Sequence, residues 1–291
     1  MINRVVLGMT ALLGASACGG GNDAAEPEEI TAPPATVVEQ QEGVVTALYT
    51  FNCGTIEISD LDIFAMDGSY EGQTDTFTNT CFVVRHPRGD LLWDMGLPAA
   101  LVENGPQTDG PFTVSLERTL IDQMAEAGLT PDDIEYFAIS HSHFDHVGQP
   151  EAVGEAAWIV HEAEYNYMFL DEASGDFSAL EGFEARPFSG DHDLFGDGAI
   201  RILEMPGHTP GHTALLLNMA EAGPVLLSGD LYHRSESREG ARVPRFNHDQ
   251  GATLSSIDRF EALAEATGAL VVIQHEPTDV AKLPEAPEAL R

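Results

Sequence analysis

The apolar positions of this 291-residue chain fall into short alternating runs, punctuated by Gly, Pro and Asp, in the order of a mixed α/β domain. Val44–Thr50 is β-rich, and Gly54–Ile58 continues it in alternation. Asn79–Arg85 and Asp90–Trp93 read as strands on either side of a hairpin turn, His86-Pro87-Arg88-Gly89. The Gly/Pro-bearing stretch from Asp94 to Pro111 is long enough for a lid or rim loop. Leu116, Leu120, Ile121 and Met124 recur at helical spacing, with Gly128 at C′. Thr130–Asp133 supplies an N-cap, a proline at N1 and early acids for a short helical turn, and Tyr136–Ile139 is the next strand. Helix is expected at Glu151–Ala156, strand at Ala157–Val160 and helix at Glu162–Leu170.

The second half repeats the strand–strand–helix rhythm. Asp197-Gly198 marks a hairpin turn into the strand Ile200–Leu203. Pro206–His212, Pro-Gly-His-Thr-Pro-Gly-His, has no regular period and reads as a shaped loop. Strands follow at Thr213–Leu217 and Val225–Leu227. A helix at Thr253–Thr267 gathers Leu254, Ile257, Phe260, Leu263 and Ala264 on one face, and Leu270–Ile273 is the last strand.

The first residues have a different character. Arg4, the apolar run Val5–Leu13 and the small residues Ala15-Ser16-Ala17 precede Cys18. Residues 1–18 therefore read as an export signal, too short to span a bilayer, and they resemble a bacterial lipoprotein signal in which the cysteine is lipidated. That resemblance implies an exported protein, anchored through Cys18 to the bacterial membrane and facing the periplasm or the outside. Residues 19–43, rich in Gly, Ala, Pro and Glu, read as a flexible acidic linker, and residues 44–291 as one domain. An oxidising compartment permits a Cys53–Cys81 disulfide; two buried free thiols are the alternative. Neither cysteine has the spacing of a Cys-based zinc site.

Charge narrows the partners. Asp plus Glu number 48 against 13 Lys plus Arg, a formal charge of −35, and Lys282 is the single lysine. Such a chain is repelled by nucleic-acid phosphates and anionic lipid surfaces. The acidity reads as a solubility feature, with recruitment of cationic substrates as the sharper alternative. Four of the few basic residues, Arg234, Arg238, Arg242 and Arg245, stand close together, either lining a site mouth or pairing with acids.

The candidate chemistry lies in Ser140–Gln149, where His141, His143, Asp145 and His146 fall within six positions after an apolar strand. Imidazole and carboxylate suit a divalent first-row metal, zinc first, with cobalt, manganese or iron as alternatives. Other predicted strands also end in polar groups: Asp94, Asp230 and His275, while His208 lies in the shaped loop after another strand. Ligands on neighbouring strand ends converge at one sheet edge. Seven candidates (His141, His143, Asp145, His146, His208, Asp230, His275) suffice for two metals sharing one ligand. Asp230 is the natural bridge, because a carboxylate offers two oxygens and an imidazole one lone pair. His86, His161, His192 and His248 read as structural or surface residues, and His212 as support for its loop.

These stretches resemble the metallo-β-lactamase superfamily over about residues 44–283. The motif is His141-Ser142-His143-Phe144-Asp145-His146, followed in order by His208, Asp230 and His275. The resemblance implies an α/β fold, a four-layer αββα sandwich with two metals at one edge, and a role for Asp94 in orienting the metal loop without binding metal. Leu92-Trp93-Asp94, Pro206–His212, Ser228–Tyr232 and Gln274–Pro277 are most similar to the N-acyl homoserine lactonases. That likeness implies opening of a small-molecule lactone by attack of a metal-bridging hydroxide, with Asp145 carrying the proton to the departing alkoxide. Some of these lactonases place a substrate-contacting tyrosine three residues after the bridging aspartate; here that position is His233 and the tyrosine is Tyr232. Both are candidate catalytic residues. Phe112, Tyr165, Met168, Phe169 and Phe246 are candidates for an acyl groove or for core. A general lactonase, arylesterase, thioesterase or β-lactamase shares these motifs, and a non-catalytic metal-binding lipoprotein is the reading from another class. The oligomeric state stays open, a homodimer included.

Overall fold

The computed structural model describes residues 43–170 and 175–291. The expected signal peptide, the expected lipidation site Cys18 and the expected linker up to residue 42 lie outside the described residues. The first half of the chain supplies β1 (Ala47–Ile58), β2 (Asp75–Arg85), β3 (Asp90–Trp93), β4 (Gln107–Asp109), β5 (Phe112–Ser115), β6 (Ile134–Ala138), β7 (Ala157–His161) and β8 (Ala185–Phe188). They form one sheet in the order β4-β5-β1-β2-β3-β6-β7-β8. β9 (His192–Asp193), β10 (Ile200–Glu204), β11 (Thr213–Met219), β12 (Gly223–Leu227) and β13 (Leu270–Val272) form the second sheet, in reverse order from β13 to β9. The short strand β14 (Ala289–Leu290) returns to pair with the start of β1.

Alternation along the strands builds the layers, since successive side chains point to opposite faces. On β2, Phe82 and Val84 face inward with Leu48, Leu91 and Trp93. They meet Ile200, Ile202, Leu215, Leu217, Val225 and Leu227 of the other sheet to form the central core. The intervening Cys81 and Val83 face outward, with Phe51, Phe137 and Trp158, beneath α2 (Leu120–Glu126) and α3 (Glu162–Phe169). On the far side, Leu203, Leu216, Leu226 and Val271 pack against Ile257, Phe260 and Ala264 of α5 (Gln250–Thr267). The result is the expected αββα sandwich. Three short helices complete it: α1 (Leu101–Asn104), α4 (Ser235–Gly240) and α6 (Pro277–Val280).

Several local expectations are corrected. The stretch after Asp94 is not a featureless loop: it holds α1 and the β4–β5 hairpin, turning at Gly110-Pro111. Leu116 lies outside the helix, which starts at Leu120 behind the N-cap Thr119, and it packs instead with Ile56 and Phe64. Glu151–Ala156 is not a full helix; a single 3₁₀ turn, Pro150–Val153, occupies its start and Gly154 ends it at positive φ. On α5, Leu254 is exposed, and the buried positions of the first turns are Thr253 and Ser256. Ser256 donates to the Pro206 carbonyl, and Thr253, whose hydroxyl accepts from Asn247 and donates to the Asp249 carbonyl, lies against Gly207, so that end of the helix faces a polar loop rather than core.

Cys53 and Cys81 are joined by a disulfide in the adjacent strands β1 and β2, which settles the choice left open by the sequence. A bulge at Cys53 turns it to the face that carries Cys81. The Cys53 carbonyl accepts the Leu97 amide, and Gly96 accepts the Gly148 amide, so the bridge abuts the strand end next to the metal-ligand motif. Closing a loop of 28 residues restricts the unfolded chain by about 3–4 kcal/mol, so Cys53→Ala/Cys81→Ala is expected to lower Tm by about 10 °C. Calorimetry with and without reductant checks this; an unchanged Tm in both comparisons would refute it.

Candidate metal centre

The residues at the sheet ends come together as two adjoining sets. His141, His143, His208 and Asp230 present ligand atoms within 4.8 Å of one another, and so do Asp145, His146 and His275. Asp230 faces both. Its Oδ2 lies 3.5 Å from the Nε2 atoms of His141 and His208, while Oδ1 lies 3.2 Å from His146 Nε2 and 3.0 Å from His275 Nε2. Each oxygen of this one carboxylate thus faces a different set of imidazoles. The structure brings all seven candidate ligands together, six buried and His143 half-buried at the mouth.

The far ring nitrogens are fixed by neighbours, which sets what the near ones offer. His208 Nδ1 is 2.8 Å from Asn247 Oδ1, and His275 Nδ1 is 2.8 Å from the Thr78 carbonyl. Both partners accept, so each ring carries its proton at Nδ1 and presents a lone pair at Nε2. His146 Nδ1 lies 3.0 Å from Asp94 Oδ2, and His141 Nδ1 lies 3.0 Å from Ser140 Oγ. His212 supports from behind, with Nδ1 on the Met205 carbonyl and Nε2 accepting the Asp230 amide. Asn79 Nδ2 holds Asp145 through its carbonyl and Oδ2.

The donor set fits divalent cations. Imidazole nitrogens face one another, His143 Nδ1 to His208 Nε2 at 3.0 Å and His146 Nε2 to His275 Nε2 at 3.3 Å. His141 Nε2 and Asp230 Oδ1 are buried and make no hydrogen bond. Converging lone pairs and unpaired buried polar atoms are costly unless a cation sits among them. Burial, with the neighbouring imidazoles, holds His141 and His208 well below the ordinary histidine range, so they are neutral ligands. Burial lowers His212 to about 4. Burial also disfavours charge on His146 and His275, but the carboxylates of Asp230 and its neighbours outweigh it and raise both.

An open pocket lies over the centre, with His143, Asp145, Asp230, His233 and His275 at its floor. Its walls are apolar: Ile56, Ile58, Phe64, Phe77, Phe112, Phe144 and Phe246. Of the proposed groove residues, Phe112 and Phe246 line it. Tyr165, Met168 and Phe169 do not; they pack around Trp158 in the helix-covered core. Ile56 and Ile58 share one face of β1 with Glu57 between them, an alternation that pointed to them, and Phe144 stands inside the histidine motif itself.

The two residues after the bridge part company. His233 reaches the pocket and lies with Nε2 3.0 Å from Asp230 Oδ2. Tyr232 does not reach it. Its ring is buried beside Phe260, and its hydroxyl donates to Glu261 Oε1 at 2.8 Å. Successive side chains in extended backbone point opposite ways, so only one of the pair can face the metals.

Asp94 binds the frame rather than the ions. It accepts the Ser140 amide at Oδ1 (2.6 Å) and Gln274 Nε2 at Oδ2 (2.9 Å). An amide at this position turns a donor toward one of these donors. Asp94→Asn is therefore expected to weaken metal affinity by about 10–100-fold, read by competition with a chromogenic chelator. Wild-type affinity in that variant would remove Asp94 from this role.

Comparison with known proteins agrees with the geometry. The family model described as the metallo-beta-lactamase superfamily matches residues 74–275. An N-acyl homoserine lactonase AttM of Azorhizobium caulinodans is 29% identical over 222 residues, covering 71% of this chain and 84% of that protein. An N-acyl homoserine lactonase of a Bacillus species is 30% identical over 203 residues, covering 67% of this chain and 80% of that protein. Among solved structures, an N-acyl homoserine lactone hydrolase with N-hexanoyl-L-homoserine at its catalytic metal centre superposes with a TM-score of 0.75. It is 25% identical, and the match covers 85% of this chain and all of that one. The chain belongs to the metallo-beta-lactamase superfamily and is a metal-dependent hydrolase of that fold.

Proposed function

We propose that this hydrolase opens the lactone ring of N-acyl homoserine lactones with two divalent cations, zinc in the first place. The observation that carries the reading is Asp230, one carboxylate facing two imidazole sets at the floor of a phenylalanine-walled pocket. Nitrogen and oxygen donors without sulfur suit zinc, and also cobalt, manganese or iron. His141, His143, His208 and Asp230 would hold one ion; Asp145, His146, His275 and the second oxygen of Asp230 would hold the other. Such ions, when bound, lower the pKa of a water molecule and polarise a carbonyl oxygen.

The chain's own groups account for the remaining requirements. Ring opening breaks the bond between the acyl carbon and the ring oxygen, and the departing alkoxide must gain a proton. Asp145 is the pocket carboxylate placed for that transfer, held by Asn79 with its Oδ2 3.5 Å from His275 Nε2. His233 fixes the Asp230 carboxylate, with its Nε2 3.0 Å from Oδ2. The phenylalanines exclude water, which strengthens every charge interaction inside, and offer an acyl chain about 25 cal/mol for each Å² of apolar surface covered.

On this reading, the purified protein releases acid from N-acyl homoserine lactones in a pH-stat assay. Chelation is expected to reduce kcat/KM by about a thousandfold, the scale of a lost Lewis acid, with recovery on zinc or cobalt addition. Penicillins, thioesters and aryl esters run in parallel. Turnover of one of those classes without lactone turnover would overturn the substrate assignment.

From the signal-like residues 1–18 we further infer that the enzyme lies outside the cytoplasm, anchored through Cys18. The Cys53–Cys81 disulfide supports this, since such bridges persist in oxidising compartments. Cys18→Ala in the full chain should move the protein from the membrane fraction to the soluble fraction. Equal membrane recovery of the variant and wild type would refute the anchor.

A further inference from the structure

Glu164 is a carboxylate that the reaction does not use. It sits in the first turn of α3 and is 1% exposed, while the helix's other acid, Glu162, is at the surface. Among the described residues no basic side chain forms an ion pair with it. Burying a carboxylate costs several kcal/mol unless hydrogen-bond donors replace its water. Here the donors come from two separate loops. Oε1 accepts the Ser142 amide at 2.7 Å, and Oε2 accepts the Thr209 hydroxyl at 2.8 Å and the Gly211 amide at 2.9 Å.

Those donors mark specific places. Ser142 lies between His141 and His143, and Thr209 follows His208. One side chain therefore ties together the backbone of all three imidazoles that meet on one side of Asp230. The approach is close: a Cβ at position 211 would stand 2.2 Å from the Glu164 nitrogen, so glycine alone lets the loop reach the carboxylate. None of the hydrogen bonds of Glu164 reaches Asp145, His146 or His275. That side is held through Asp94, Gln274, Asn79 and Thr78 instead.

We propose that Glu164 is a positioning residue for one of the two ions, the one held by His141, His143 and His208. The inference rests on the two-ion reading of the centre and not on the choice of substrate. Glutamine has the same shape but one acceptor oxygen and two donor hydrogens, so it cannot satisfy three incoming donors. At least one loop must be released.

The test is a cobalt titration of metal-free protein, followed by visible absorption and by chelator competition. His208→Ala and His275→Ala identify which equivalent belongs to which side. Glu164→Gln is expected to weaken the equivalent lost in His208→Ala by about 10–100-fold and to leave the other within about threefold. Thr209→Val removes a single donor, and the same equivalent should weaken by a smaller factor; it decides the matter if Glu164→Gln does not fold. A general structural role would lower Tm without separating the two binding steps. Parallel weakening of both equivalents, or wild-type affinity for both in the two variants, would overturn the role of Glu164. Wild-type protein that binds fewer than two equivalents would overturn the two-ion reading itself, and this inference with it.

Discussion

Asp94 carries a full set of hydrogen bonds at a point with no access to water, and the ligand-bearing strand ends are tied through it. Its backbone is in the left-handed region at φ 59, which a non-glycine residue adopts only when its surroundings impose it. The surroundings do so. Its amide donates to Ala138 at the end of β6, and the next amide, of Met95, donates to the carbonyl of the ligand His146. Its carboxylate takes the Ser140 amide, which starts the metal motif, and Gln274, which precedes His275. Gln274 in turn accepts from Trp93 and from the Gly229 amide beside Asp230. Three strand ends, two in one sheet and one in the other, are thus locked to one acid.

Such a lock is needed because of how the layers are made. The inner faces of both sheets are apolar, and the sheets touch through Phe82, Trp93, Leu215 and Leu227. Polar ligands have no place within that interface and gather where the strands stop. There, Ser140 joins the sheets directly by accepting both the amide and the hydroxyl of Thr213. In that dry environment burial and the neighbouring imidazoles keep His141 and His208 neutral against the pull of Asp230, while Asp230 and Asp145, joined by Asp94 at His146, outweigh burial and raise His146 and His275.

The candidate ligands were legible because a metal demands particular side chains: His141, His143, Asp145 and His146 stand within six positions, Asp230 and His275 follow strand ends, and His208 lies in a loop with no regular period. The layers were legible from alternation, as on β2. Legibility failed where the partner is distant in sequence. Tyr232 and His233 are neighbours, and only the path of the backbone decides which one faces the pocket. Tyr165 and Phe169 have the composition of a groove and the location of a core. Nothing local in the sequence marks Glu164, since the donors that use it lie 22 to 47 positions away. The Leu254 error has the same origin: helical period places it beside Ile257, but the neighbouring element at that end is a polar loop.

The few arginines show what the acidic composition does to the pocket. Arg234 pairs with Asp75, and Arg245 pairs with Asp62 and with the Ala65 carbonyl. Arg234 and Arg242 also lie over the ring of Tyr70. All of these contacts join the segment around residues 61–75, which carries Phe64, to the segment that carries His233 and Phe246. Arg234 and Arg245 pair with acids, as one of the two sequence readings had it, and those acids, Asp75 and Asp62, flank the segment that carries the wall residue Phe64. Exposed ion pairs contribute little singly, and salt screens them. Joined to the edge-to-face contacts of Phe64 with Phe246 and His233, they hold two otherwise separate loops against each other. The apolar walls therefore depend on charge pairs at their rim, while the candidate metal ligands depend on buried carboxylates at their base, and His233, which touches both Asp230 and Phe64, joins the two sets of contacts.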